Sequence, residues 1–274
     1  MKRYKPITPS RRQAIKEDFS LLSKEKPEKK LIIHLKKKSG RNNQGRITCR
    51  HKGGGAKKKY RLIDFGESKK DIPAKVLSFQ YDPYRTSFIA LVQYEGGEKG
   101  YILAPQGLKI GDEIISSDKA EIKPGNRMRL KNIPLGTDVY NIEFEPNTYG
   151  KLVRAAGSSA KVLACENGWV NLKMPSGEIR KVSEECFASV GVVSRPEHKY
   201  VKLGKAGKSR YKGRRPEVRG TAMSVNDHPH GGGEGRTGVG MPGPKTPWGK
   251  PAFGVKTRKR KSTNKYIIKI RKRK

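Results

Sequence analysis

Asp227-His228-Pro229-His230 is the stretch whose residue types come nearest to doing chemistry. A carboxylate beside an imidazole could orient it for acid–base work, and Ser224 is close enough in sequence to suggest a hydroxyl nucleophile. Adjacency along a chain is not catalytic geometry, however, and no second carboxylate or oxyanion-stabilising pattern accompanies these residues. Two histidines and one aspartate also fall short of the roughly four ligands a structural metal site wants. Two readings stay open, a polar linker with no role and a loop ordered against RNA. The second is favoured. Imidazoles stack on bases and hydrogen-bond to phosphates and 2′-hydroxyls, and Gly231-Gly232-Gly233 allows the backbone to approach closely.

Other enzyme-like patterns fail on context. Gly233-x-Gly235-x-x-Gly238 matches a dinucleotide fingerprint, but Gly240, Pro242, Gly243 and Pro244 follow where a helix should open. Gly238 to Thr246 resembles a phosphate loop with Pro244 in place of the required lysine. Cys49, Cys165 and Cys186 are odd in number and far apart, with no CxxC pair, so neither a zinc ribbon nor a disulfide framework is expected. No apolar run approaches the roughly 18–20 residues of a membrane span, and MKRYKPITPSRRQ has no apolar core of a signal peptide. The chain is read as a reduced, cytoplasmic protein.

A different chemistry is written in two basic, glycine-rich stretches. Ser39 to Arg46 supplies Arg41, Asn42, Asn43 and Arg46, and Arg50 to Lys59 supplies Arg50, His51, Lys52, Gly53, Gly54, Lys57 and Lys58. Glycine lets a backbone come close to a phosphate ribbon while Arg and Lys neutralise it. A solvated linker is the alternative, weakened because two such stretches lie close together with almost no acids.

Charge partition shows what must position these residues. The 274-residue chain carries a formal +37 with only 33% hydrophobic residues. Residues 1–63 hold 21 Lys/Arg against 4 Asp/Glu, a net of +17, and residues 200–274 hold 22 against 3, a net of +19. Residues 64–199 hold 19 against 18 and are almost neutral. This describes a folded body with two basic extensions and a polyanionic partner, nucleic acid before an anionic membrane.

The body reads as short strands. KVLSFQYD, SFIALVQYE and KGYILAP are β-branched and aromatic runs parted by Asp82-Pro83 and Glu95-Gly96-Gly97-Glu98 turns. After Lys123-Pro124-Gly125-Asn126 a second set follows, MRLKNIP, DVYNIEFEP, KLVRAAG, AKVLACE, WVNLKMP, EIRKVS and FASVGVV, with hairpin signals at Glu166-Asn167-Gly168 and Pro175-Ser176-Gly177-Glu178. Arg154 is read near the start of a strand. No long amphipathic helix is expected in the body. Two small barrels in series are predicted at 64–125 and 126–199, flanked by extensions at 1–63 and 200–274.

Ordered motifs span nearly the whole length. They include Thr8-Pro9-Ser10-Arg11-Arg12, Ser39-Gly40-Arg41-Asn42-Asn43, Arg50-His51-x-Gly53-Gly54-Gly55, Tyr81-Asp82-Pro83-x-Arg85, Leu203-Gly204-Lys205-Ala206-Gly207, Arg219-Gly220-Thr221-Ala222-Met223, Asp227 to Arg236, and Thr246-Pro247-Trp248-Gly249. On these the chain resembles the bacterial-type ribosomal protein L-two family, universal in large subunits. Ser224-Val225-Asn226 stands where the family usually has Asn-Pro-Val, and Ala56 where many relatives carry His.

The resemblance implies a mainly β fold, an OB-like barrel followed by an SH3-like barrel, with long irregular basic N- and C-terminal extensions. It implies a non-enzymatic, primary 23S rRNA-binding constituent of the 50S subunit, supporting assembly, subunit association, tRNA binding and the peptidyl-transferase region. Implied partners are 23S rRNA, neighbouring ribosomal proteins, the small subunit across the intersubunit bridge region and nearby tRNA, with no membrane and no small-molecule substrate. No cofactor is implied beyond rRNA-associated Mg²⁺ or K⁺. The location is the cytoplasmic ribosome, or the plastid stroma for an organelle-encoded copy. Carried onto this sequence, the RNA-binding set also takes in Arg11, Arg12, Arg85, Arg154, Lys205, Lys208, Arg210, Arg214, Arg215, Arg219, His228, His230, Arg236, Trp248, Lys256 and Arg258. His228 matches the histidine once proposed to act in peptide-bond formation; since that centre is RNA, it is expected only to contact or support RNA.

Contacts of this kind release counterions. RNA affinity is expected to fall by roughly 10³–10⁵-fold between 50 and 200 mM salt if 6–10 phosphates are neutralised, read as the log–log slope in filter binding. A flat salt dependence would refute the charge-based reading.

Overall fold

Strand alternation sets the first sheet. In β1 (Ala74–Tyr81) Ala74, Val76, Ser78 and Gln80 are buried, while Lys75 and Tyr81 are exposed. β1 pairs antiparallel with β2 (Phe88–Tyr94), Val76 opposite Val92, and a register shift before Ser78 adds twist. With β3 (Lys99–Leu103) and β4 (Glu113–Ile114) the order is β3-β2-β1-β4. Ala74, Val76, Ala90, Val92, Tyr94, Ala104 and Ile114 fill its core. This is a computed structural model, and it describes residues 1–66 and 69–271.

The second sheet has seven strands: β5 (Arg127–Arg129), β6 (Asp138–Tyr140), β7 (Ala160–Glu166), β8 (Trp169–Lys173), β9 (Ile179–Ser183), β10 (Phe187–Val190) and β11 (Ile267–Lys269). Their order is β11-β9-β8-β7-β6-β10-β5. Met128, Val139, Val162, Val170, Leu172, Val182 and Ala188 lie in its core. The fold is mainly β, with curled sheets matching the OB-like and SH3-like barrels expected and irregular basic segments around them. Among the described residues the α-helices are short, Pro9–Arg12 and Ala206–Tyr211. None is long and apolar enough to cross a membrane.

The chain divides into two compact units. One comprises Met1–Lys36, Lys57–Lys205 and Thr263–Lys274, and the other Lys37–Ala56 and Ala206–Ser262. The barrel unit thus draws chain from both basic ends. Ile32–Ile33 pairs with Tyr60–Arg61, the Glu28 N–H donates to Tyr101 Oη at 3.0 Å, and β11 pairs with β9. Charge alone does not express these pairings, because an apolar dipeptide such as Ile267-Ile268 is hidden among lysines.

Three strand readings are corrected. The DVYNIEFEP run is broken at Asn141, whose φ of +49° turns the chain out of the sheet, so that Ile142–Glu143 pairs instead with Gly150–Leu152. MRLKNIP contributes only Met128 and Arg129 to the strand Arg127–Arg129 and then makes a 3₁₀ turn at Leu130–Asn132. KLVRAAG is strand only to Leu152. Val153 takes φ +55°, so Arg154 lies past the strand's end and not at its start.

The Asn141 break is held by a buried ion pair. Arg127 Nη1 donates to Asn141 O at 2.6 Å and Nη2 to Glu143 Oε1 at 2.8 Å, while Glu143 Oε2 accepts the Phe187 N–H at 3.0 Å. The side chains of Arg127 and Glu143 are 5% and 1% exposed. Burial lowers the Arg127 pKa, partly offset by the Glu143 charge. Removing one partner strands a buried charge, so Glu143→Ala is expected to cost about 3–5 kcal/mol in chemical unfolding of the free protein. A cost under about 1 kcal/mol would show that the pair is not what holds this junction.

Candidate RNA-binding surface

In the second unit, residues 51–56 run beside 211–215. The Gly53 N–H donates to Gly213 O at 2.8 Å, Ala56 N–H to Tyr211 O at 2.9 Å and Arg215 N–H to His51 O at 3.1 Å, with Lys52 and Arg214 bridged antiparallel. Gly55 makes the closest approach. Its φ is +60°, and a Cβ there would stand 2.7 Å from Tyr211 O and 2.9 Å from Gly213 N. Both strands are irregular by sequence, and backbone pairing brings their cations together. Lys52, Arg214 and Arg215 are exposed on this ladder, and Arg210 lies on the short helix leading into it.

The neighbouring turn uses side chains that the sequence reading assigned to RNA. Asn42 Oδ1 accepts the Arg46 N–H at 2.9 Å, and Asn42 N–H donates to Arg46 O at 3.0 Å. Asn43 Oδ1 accepts the Gln44 N–H at 3.1 Å. Both carboxamide oxygens thus build the turn that presents the exposed Arg41 and Arg46.

His228 is not an open group. It is 7% exposed, its Nδ1 accepts the His230 N–H at 3.0 Å, and His230 Nε2 accepts the Lys245 N–H at 2.9 Å. Acceptance at those nitrogens fixes the neutral tautomers, Nε2–H on His228 and Nδ1–H on His230. The rings lie 4.7 Å apart, and Gly220 packs so closely that a Cβ would be 2.4 Å from His228 Cε1. Among the described residues no hydrogen bond links the Asp227 carboxylate or Ser224 hydroxyl to this ring, so the arrangement is not a triad. It braces the loop beneath a cavity of about 610 Å³ lined by Arg50, His51, Arg219, His228, Lys245 and Trp248. Arg50 stands 5.6 Å over the Trp248 ring, itself 72% exposed. Lys208, Arg236, Lys256 and Arg258 are distributed over the same unit.

The barrel unit carries the remaining candidates. Arg11 and Arg12 are exposed on the first short helix, and Lys57, Lys58 and Lys205 lie on irregular chain. Arg85 and Arg154, 69 positions apart in sequence, converge on Phe65, with their Cζ atoms 5.6 and 4.4 Å from its ring centroid. The left-handed Val153 is what turns Arg154 there. Tyr60, Phe65 and Tyr84 were missed by sequence reading. An Arg next to an aromatic-rich turn, Tyr81-Asp82-Pro83-Tyr84-Arg85, was the available signal, but Tyr60 and Phe65 arrive from a separate segment.

Two of the three thiols are held toward the protonated form. Burial pushes Cys186 up to about 12, and burial followed by the Glu184 charge raises the Cys165 thiol. Among the described residues no three His, Cys, Asp or Glu side chains gather to hold a metal ion.

A family model described as "Ribosomal Proteins L2, RNA binding N-terminal domain" matches residues 28–116, and one described as "Ribosomal Proteins L2, C-terminal domain" matches 123–249. The chain belongs to the ribosomal protein L2 family. It is accordingly a ribosome-associated, RNA-binding protein of the large subunit, from a family that is structural in kind. The glycine ladder falls across the two matched segments, 51–56 in one and 211–215 in the other.

Gly55→Ala tests whether close backbone approach holds this ladder. Left-handed backbone at a non-glycine residue costs about 1–2 kcal/mol before any clash. Hydrogen exchange at the Gly53 and Ala56 amides is expected to rise roughly 5–30-fold, with β2 amides unchanged. Unchanged exchange at Gly53 would show that Gly55 is dispensable there.

Proposed function

We propose that the chain is a primary 23S rRNA-binding protein of the 50S subunit. It supports assembly, subunit association, tRNA binding and the peptidyl-transferase region, and does not itself catalyse peptide-bond formation. The observation that carries this reading is the glycine ladder, where two irregular strands place exposed Lys52, Arg214 and Arg215 side by side on closely paired backbone. Such a ladder can enter a groove between RNA helices, screen phosphate repulsion and bridge distant segments.

In this reading RNA contact belongs to Arg41, Arg46, Arg50, Lys52, Arg210, Arg214, Arg215, Arg219 and Trp248, together with Arg85 and Arg154 on the barrels. His228 acts beneath the surface, holding the loop through its Nδ1 acceptor. Neighbouring ribosomal proteins, the small subunit and tRNA are contacted by way of the assembled particle, and any Mg²⁺ or K⁺ arrives with the rRNA. No resident cofactor is needed.

Two measurements test it. Hydroxyl-radical footprinting is expected to protect a defined 23S rRNA segment at moderate salt; uniform weak protection of any RNA would instead mark a general polyanion binder. Large subunits reconstituted with His228→Gln should form peptide bonds at the normal rate once incorporation is complete. A rate loss of tenfold or more at full incorporation would restore a chemical role for that imidazole.

A further inference from the structure

Residues 1–63 hold four acids, and two of them, Glu17 and Asp18, stand together where an extension made to bind RNA would carry cations. Both are engaged within the protein. Asp18 pairs with Lys2 at 3.1 Å. Glu17 grips the linker that follows the second barrel: Oε2 pairs with Arg195 Nη2, and Oε1 meets His198 Nδ1. Arg195 Nη2 also stands 3.2 Å from that ring nitrogen. Arg195 takes φ +65°, a left-handed conformation at a non-glycine residue, and its side chain is 6% exposed. Three rings lie around its guanidinium, with Cζ 4.7 Å from the Phe88 centroid and 5.9 Å from those of Phe19 and Tyr81. The cation therefore joins three separate stretches of chain: the N-terminal segment through Glu17 and Phe19, the first sheet through Tyr81 and Phe88, and the linker itself. Contact continues beyond it. The Ile15 N–H donates to Lys202 O at 3.0 Å and the Lys202 N–H to Ile15 O at 3.2 Å. Gly204, at φ +77°, packs so closely that a Cβ would be 2.4 Å from Ser10 O. On the barrel side the Ser23 N–H donates to Phe79 O at 3.0 Å.

We propose that residues 10–23 act as a clasp that fixes where the basic C-terminal extension leaves the barrels, with Glu17 and Arg195 as positioning residues for RNA binding. The proposal rests on the RNA-binding reading above and deepens it by giving this N-terminal segment a role that needs no contact with RNA. The clasp closes on residues 195–204, immediately before the second unit begins at Ala206. A chain anchored at its exit has fewer conformations to lose when its cations meet phosphate, so anchoring raises affinity without adding a contact. Packing alone does not account for the choice of residue. A buried guanidinium is costly to desolvate, and an apolar side chain among three rings would be held without a counter-ion. The ion pair makes seating of the extension's root depend on one N-terminal carboxylate, so it selects a register where an apolar contact would accept several.

The test uses the full chain and the 23S rRNA segment that the unmodified chain protects. In Glu17→Gln, hydrogen exchange at the Ile15 and Lys202 amides is expected to rise roughly 10- to 100-fold, with β2 amides unchanged. Affinity for the rRNA segment should fall roughly 3- to 10-fold at an unaltered log–log salt slope, because the same phosphates are met from a looser root. Phe19→Leu takes one ring from the guanidinium and leaves the carboxylate. It should move both readouts the same way by less, and it serves if Glu17→Gln misfolds. Unchanged exchange at Lys202 in both variants would show that there is no clasp. Raised exchange with unaltered affinity would leave only a packing contact and overturn the positioning role. A shallower slope would mean that phosphate contacts themselves were lost, and would overturn that role too. Failure of the unmodified chain to bind any rRNA segment at about 50 mM salt would overturn the RNA-binding reading and with it the role in binding; exchange would still decide whether the clasp exists.

Discussion

Everything in this molecule is arranged around one constraint: like charges repel, and the chain carries a formal net charge of +37. A core cannot condense inside such a field, so the residues that build the barrels are almost free of net charge. The cations are displaced onto segments that have little apolar surface to bury. Where a cation does enter the interior, as at Arg127, it is met by a carboxylate at 2.8 Å and by a backbone carbonyl. Arg85 is treated in the same way by Asp82. Arg127 is thereby a structural piece, whereas Arg85, 15% exposed, keeps part of its guanidinium at the surface.

The division of labour follows. Barrels supply rigid positions, and irregular chain supplies charge. Left-handed residues at Asn141 and Val153 convert one into the other, the first ending a strand and the second aiming Arg154 at Phe65. The second unit dispenses with an apolar core almost entirely. It depends on backbone pairing through Gly53 and Ala56, and on imidazole acceptors that take the N–H groups of His230 and Lys245.

Much of the fold was legible in the sequence because alternation and turn chemistry are local signals. KVLSFQY and SFIALVQY announce β1 and β2, and Asn167-Gly168 announces the β7–β8 hairpin. What escaped has a common cause. The pairing of residues 51–56 with 211–215, and of Ile267–Lys269 with β9, joins segments far apart that carry no periodicity of their own. The break at Asn141 escaped because its stabilising partner, Arg127, lies in another strand. At the candidate surface, residue type was readable and local geometry was not: Asn42 Oδ1 and His228 Nδ1 accept backbone N–H groups of their own loops. Tyr60 and Phe65 gain meaning only once Arg85 and Arg154 are seen to converge.

The ladder between residues 51–56 and 211–215 also has a consequence in time. Its two halves are separated by about 150 residues of synthesis, which at roughly 5–20 residues per second is on the order of 10–30 s. Throughout that interval the first half is an emerged, cationic strand whose hydrogen-bonding edge has no mate. The ladder can close only after residues 211–215 have been made, however early its first half is available. Discontinuity thus turns a structural pairing into a kinetic one, set by the length of the barrels encoded in between.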